Sequence, residues 1–203
     1  MLATSANGFQ MAEGMSQVIK LVGIAGSLRR QSFNGALLAA AARSMPEGAQ
    51  LEIVPIRDIP LYNADLEAES GIPAAVMHAK DALTGAQGLV IATPEYNGGI
   101  PGVAKNAIDW MSRPSQDIAR VFHGRWVALM GATPGGFGTV LAQAGWLQVL
   151  RTLRMRLWTD GGPFYLPHAA QAFDPEGLAD AEQRTRLAGY MAAYVERIRA
   201  GTD

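Results

Sequence analysis

The chain has 203 residues, 49% of them apolar and 17% charged, with a formal net charge of −1 and no cysteine. At this length one domain buries roughly 70% of the surface its unfolded chain exposes, enough for a core without metal or disulfide. Near-neutral charge gives no global attraction to nucleic acid or an anionic membrane, and the missing cysteines exclude disulfides, thiolate metal sites and a cysteine nucleophile.

That composition fits a cytoplasmic protein. No apolar run approaches the roughly 20 residues that span a bilayer. The opening "MLATSANGFQMAEGMSQ" has neither a basic start nor a sustained hydrophobic stretch, so residues 1–17 read as a disordered extension rather than a signal peptide. Residues 18–200 then form a single domain.

Residues 18–25, "VIKLVGIA", are nearly all apolar and suit a strand covered on both faces. An Ala/Leu-rich helix follows over 34–45, stopped by Pro46 and Gly48, and "LEIVPI" (51–56) reads as a second strand. The loop after it carries the acids Asp58, Asp65, Glu67 and Glu69, expected as a solvated face, before a helix over 72–84. "GLVIATP" (88–94) is a third strand ended by proline, 102–111 a helix, and "WVALMGAT" (126–133) a fourth strand. A long helix over 138–153, a short strand "RMRLW" (154–158) and an amphipathic helix over 178–200 complete the chain. Such alternation predicts an α/β fold with a parallel sheet and helices on both faces. Trp110 and Trp146 read as core or subunit contacts.

Ligands of parallel sheets bind beyond the carboxyl ends of the strands. The turns there are "GSLRRQSFN" (26–34), "TPEYNGGIPG" (93–102) and "ATPGGFG" (132–138). The first offers the hydroxyls of Ser27 and Ser32, the Arg29 guanidinium, the Asn34 amide and the start of a helix, a donor set suited to a phosphate. Two uses compete for Ser32 and Asn34, helix capping and anion binding, and Arg30 is left to solvent. Neither G-x-G-x-x-G nor G-x-x-x-x-G-K-[ST] is present, which argues for a monophosphate over a dinucleotide or triphosphate.

In the second turn Pro94 stops the strand, Gly98 and Gly99 allow close approach, and Pro101 opens a helix. Glu95, Tyr96 and Asn97 are thereby presented with exposed backbone groups able to read the edge of a flat heteroaromatic ring. Glycines of the third turn allow a similar contact. His78, His123 and His168 are too scattered for a zinc site, and G-x-S-x-G is missing, which disfavours a serine hydrolase.

Together, "GSLRRQSFN" and "PEYNGGIPGVAKNAIDW" resemble the NAD(P)H-dependent FMN reductases, a family that includes quinone, azo-dye and chromate reductases. The resemblance implies a flavodoxin-like three-layer sandwich, its five-stranded parallel sheet ordered 2-1-3-4-5. It also implies noncovalent FMN and a homodimer or homotetramer. Ser27, Arg29, Ser32 and Asn34 would hold the FMN phosphate. Pro94, Glu95, Tyr96, Asn97 and Gly98 would line the isoalloxazine, with Thr133, Pro134 and Gly135 at its other edge. Lys105, Asn106 and Asp109 of "KNAIDW" would support the second turn. Chemistry would occur on the flavin, with NADH or NADPH as hydride donor, a quinone, flavin, azo compound or similar acceptor, ping-pong order, and no catalytic acid, base or metal. The alternative within the same fold is a one-electron carrier or flavin-binding module without turnover, although carriers usually show strong acidity to their partners.

Overall fold

The computed structural model describes residues 18–201, so the extension expected over 1–17 lies outside the described residues. Strands β1 (Ile19–Ala25), β2 (Ala49–Ile53), β3 (Gly88–Ala92), β4 (Trp126–Ala132) and β5 (Arg156–Leu157) form a parallel sheet ordered β2-β1-β3-β4-β5. This is the flavodoxin-like order, whose reversal of direction beside β1 opens a crevice at the strand ends. Helices α1 (Phe33–Arg43) and α8 (Ala181–Ala200) cover one face. The other carries α3 (Ala74–Thr84), α4 (Gly102–Met111), α5 (Ile118–Phe122) and α6 (Val140–Thr152). No helix among the described residues is long and apolar enough to cross a membrane.

Two-residue periodicity divides the strands between two cores. Val22, Ile24, Leu89, Ile91, Val127 and Leu129 point to the α3–α6 side, while Leu21, Val90, Ala92, Ala128, Met130 and Ala132 point to α1 and α8. Burying each large aliphatic side chain contributes about 1.5–3 kcal/mol relative to exposure. Edge strand β2 is covered on neither side so fully, and its Glu52 and Ile53 remain exposed. Trp110 and Trp146 are core residues, each 0% exposed.

The fifth position departs from expectation. Residues 154–158 supply only half of it: β5 pairs with Trp126 and Val127, and a separate strand, β6 (Phe164–Leu166), pairs with Met130, Gly131 and Ala132. "WTDGGP" intervenes, where Gly162 has φ +68° and Pro163 has no N–H for a ladder. Opposite this gap the Leu129 carbonyl loses a strand partner, and the Tyr190 hydroxyl of α8 donates to it at 2.8 Å. Burial pushes the Tyr190 phenol well up from its ordinary pKa, so it remains a neutral donor. Helix α7 (Ala169–Ala172) and the hairpin of β7 (Phe173–Asp174) with β8 (Gly177–Leu178) follow β6 and were not legible in the sequence pattern.

The acidic loop also differs. Asp65, Glu67 and Glu69 lie on a helix, α2 (Ala64–Ser70), capped by Asn63, and Glu67 pairs with Arg113 at 2.9 Å while accepting from the Tyr62 hydroxyl at 3.0 Å. Its carboxyl is held below the usual range, chiefly by the Arg113 hydrogen bond.

Candidate functional site

The turns after β1, β3 and β4 meet at one end of the sheet and enclose a concavity of about 80 Å³. In the first turn Gly26 donates its N–H to Ala92 at 2.8 Å; a Cβ there would lie 3.0 Å from Pro94 Cδ and 3.2 Å from Ala104 Cβ. The chain crosses its neighbours too closely for a side chain. Ser32 is the N-cap of α1, accepting the Gly35 N–H at 3.2 Å, so its oxygen caps while its hydroxyl hydrogen remains available to donate. Asn34, 3% exposed, donates to the Ala132 carbonyl and accepts the Ala132 N–H, both at 2.9 Å. That two-point clamp ties the start of α1 to the end of β4 and leaves one amide N–H uncommitted. Arg29 is exposed and its guanidinium has no partner among the described residues, as is true of Arg30. Arg57 braces the loop by donating to the Leu28 carbonyl.

Side chains of the second turn are engaged in structure. Thr93 Oγ1 donates to the Pro94 carbonyl at 2.9 Å and accepts from Trp146 Nε1 at 3.2 Å. Glu95 Oε2 accepts the N–H groups of Leu141 and Ala142 at 2.8 and 3.1 Å, capping α6, whose N-cap Thr139 makes no side-chain cap bond. A carboxylate at a helix N-terminus meets both orphan donors and the positive end of the dipole. Tyr96 and Gly99 exchange backbone bonds at 3.2 and 3.0 Å around Asn97 and Gly98, whose φ values of +52° and +72° make a type I′ turn. The half-exposed Tyr96 donates its hydroxyl to Ser27 Oγ at 3.3 Å, joining the second turn to the first.

The third turn hangs from the segment after β6. Thr133 N–H donates to Leu166 O, and Thr133 O and Gly135 O accept from Ala169 and His168 N–H, all at 3.0 Å. Gly131, just before it, is irreplaceable sterically: a Cβ would stand 1.8 Å from Thr139 Oγ1 and 2.7 Å from the Thr93 carbonyl.

Ser27, Arg29, Ser32, Asn34, Pro94, Glu95, Tyr96, Thr133 and Pro134 thus line one concavity. Asn97 and Gly98 sit at the hairpin tip toward Leu141, and Gly135 lies in the adjoining loop, all three outside that lining. Phe33 and Ala132 also line it. Phe33 stood inside the quoted motif without a polar atom to draw notice, and Ala132 contributes only through proximity. The "KNAIDW" helix supports a different loop from the one expected: Asn106 Nδ2 and Trp110 Nε1 donate to Pro60 O at 2.8 and 2.9 Å, and Asn106 Oδ1 accepts from Tyr62 N. Lys105 pairs instead with Asp109, one turn along α4, at 2.7 Å. Pro101 is the residue before α4 rather than its first residue.

Known proteins share this sequence and this fold. The sequence model of the NADPH-dependent FMN reductase family matches residues 19–170. An NAD(P)H-dependent FMN reductase of Pseudomonas aeruginosa is 40% identical over 194 residues, covering 91% of this chain and 100% of the relative. A 2-hydroxy-1,4-benzoquinone reductase of Burkholderia sp. is 34% identical over 182 residues, 89% of this chain and 97% of the relative. Among solved structures, the flavoenzyme NAD(P)H:(acceptor) oxidoreductase FerB of Paracoccus denitrificans superimposes with a TM-score of 0.79 at 30% identity, covering 90% of this chain and 98% of that one. By fold and by these relatives, the chain belongs to the NADPH-dependent FMN reductase family of oxidoreductases.

Proposed function

We propose that this protein reduces quinones and related acceptors with NADPH or NADH through FMN held across the three turns, in ping-pong order. The observation that carries the reading is the unpartnered Arg29 beside Ser27 and the α1 N-terminus, joined through Tyr96 to a turn whose backbone faces the same concavity. The donor set fits a phosphate monoester. Arg29 forks onto two oxygens, the hydroxyls of Ser27 and Ser32 donate, and the first N–H groups of α1 lack intrahelical acceptors. Gly26 lets the end of β1 cross close beside Pro94 and Ala104, which a Cβ there would meet.

When bound, FMN supplies the hydride-accepting centre that links a nicotinamide donor to the acceptor. The chain binds and orients it. Because the Glu95 carboxylate is turned into the α6 cap, the ring edge is left to the backbone N–H groups of Glu95, Asn97 and Gly98, while the Thr133 N–H and carbonyl are committed to Leu166 and Ala169. Backbone N–H groups beside the ring stabilise negative charge that develops there. The exposed Tyr96 ring flanks the face on which a nicotinamide or quinone stacks. No side chain acts as acid, base or nucleophile.

FMN titration followed by steady-state NADPH and NADH oxidation with a quinone tests the reading. Saturable FMN binding and parallel double-reciprocal lines are expected. Intersecting lines would overturn the ping-pong order, bound flavin without turnover would make the protein a carrier, and no FMN binding would remove the reading entirely. A homo-oligomer is part of the proposal, supported by Phe137, Leu141 and Leu147, which are 81%, 58% and 48% exposed on one end and side of α6. Light scattering should give the mass of two or four chains.

A further inference from the structure

Two rings line the concavity at the strand ends, Tyr96 from the second turn and Phe33 from the first position of α1. Tyr96 is tethered by its hydroxyl bond to Ser27. Phe33 has no polar atom to hold it, although the residues on either side are fixed, Ser32 as the α1 cap and Asn34 in its clamp on Ala132. Its ring rests instead on Phe173, with 5.8 Å between the centroids and 28° between the planes. Both rings are half-buried, and Phe173 itself lies outside the concavity.

Phe173 opens the β7–β8 hairpin, which is fixed without help from that ring. Leu178 is 6% exposed in the core beneath α1 and α8. Asp174 Oδ1 accepts the N–H groups of Glu176 and Gly177 at 2.8 and 2.9 Å, closing the turn. At the base, the Ala172 carbonyl accepts from Ala179 and Asp180 N–H at 2.9 and 3.3 Å, and Arg184 donates to the Leu178 carbonyl at 3.0 Å. The segment leading into the hairpin also carries the third turn, through the bonds of Leu166, His168 and Ala169. A rigid support therefore presents the Phe173 ring to the start of α1. In this stack Phe173 is the fixed partner and Phe33 the one that is held.

We propose that Phe173 is a positioning residue for the phosphate cradle: it holds the Phe33 ring as an apolar wall that keeps water from the bound phosphate. The inference rests on the proposed function, in which this concavity takes the phosphate of FMN. Phe33 is the first residue of α1, so the donors left over at the helix start, its own N–H among them, lie beside its ring. An apolar wall there lowers the local dielectric and strengthens each charge-assisted bond to the anion. Removing the Phe173 ring frees Phe33 to leave the wall, and ordering it again on binding costs side-chain entropy. The cost falls on the phosphate rather than on the flavin ring, which the proposed function sets against the second turn.

Calorimetry on the flavin-free full chain, with FMN and with riboflavin, which lacks the phosphate, tests the role. Phe173→Ala should weaken FMN binding about two- to tenfold, the worth of an aromatic pair, and leave riboflavin affinity at the parent's value. Its FMN affinity should also fall more steeply than the parent's between about 0.05 and 0.5 M NaCl, because a wetter cradle is screened more. Where riboflavin binds too weakly to titrate, this salt slope decides. Phe173→Tyr keeps the ring and should bind FMN as the parent does. Should Phe173→Ala fold poorly, Phe173→Leu replaces it, and weaker FMN binding in the leucine variant than in the tyrosine one supports the stack. Unchanged FMN affinity in the alanine or leucine variant, an equal loss for FMN and riboflavin, or a salt slope like the parent's would each overturn the positioning role while the parent's FMN binding still stands. A parent chain that binds no FMN would remove the proposed function and this inference with it.

Discussion

The first and second turns contact the same concavity but are built in opposite ways. In the first, Arg29 stands free and Ser32 keeps a hydrogen to give, while in the second Thr93 and Glu95 are bound into the protein and Tyr96 and Gly99 close the Asn97–Gly98 tip through their backbones. In the proposed function, one turn would recognise through side chains, the other through a backbone that its side chains hold in place. Charge is suited to gripping a phosphate, and a rigid backbone edge is suited to a flat ring. Substitutions should separate the two: those in the first turn should alter affinity with little effect on folding, and those around the second should alter folding first.

The largest effect is expected at Gly131, where the second and third turns meet. Gly131→Val must displace the Thr93 carbonyl, and urea melts should show a loss of about 3 kcal/mol. A stability within error of the parent would mean that the junction is looser than its geometry. Next comes Arg29→Ala, expected to weaken FMN binding by about 1.5–3 kcal/mol by calorimetry while the flavin-free melting temperature stays put. A matching drop in flavin-free stability would break the contrast, because Arg29 would then be structural. Glu95→Ala removes the α6 cap and should destabilise the flavin-free protein by about 1–2 kcal/mol, with a smaller effect on FMN affinity. The smallest change belongs to Tyr96→Phe: losing the 3.3 Å bond to Ser27 should weaken FMN binding by about 0.5–1 kcal/mol. If that variant equalled Arg29→Ala, the hydroxyl would be a direct phosphate ligand.

The alternation of strands and helices was legible because β3 and its neighbours are apolar on both faces, a pattern that only a doubly covered sheet satisfies. Ser32 as a cap was one of the two uses its position allowed. The Asn34 clamp was not legible, because its partner Ala132 lies 98 residues away. Glu95 is a similar case, since no local pattern says that a carboxylate at a strand end will meet a helix starting 45 residues later. The split fifth strand escaped notice because β5 has two residues and β6 three, too short for periodicity to register.

What the sequence determined by itself is therefore local and periodic: the α/β alternation, the three polar or glycine-rich turns, and the family, since these follow from residues close together in the chain. Tertiary structure alone decided which donors stay free and which are consumed, and it divided the fifth strand between two segments. Those outcomes depend on hydrogen-bond partners brought together from distant segments, and partner geometry in three dimensions is not encoded in the spacing of residues along one dimension.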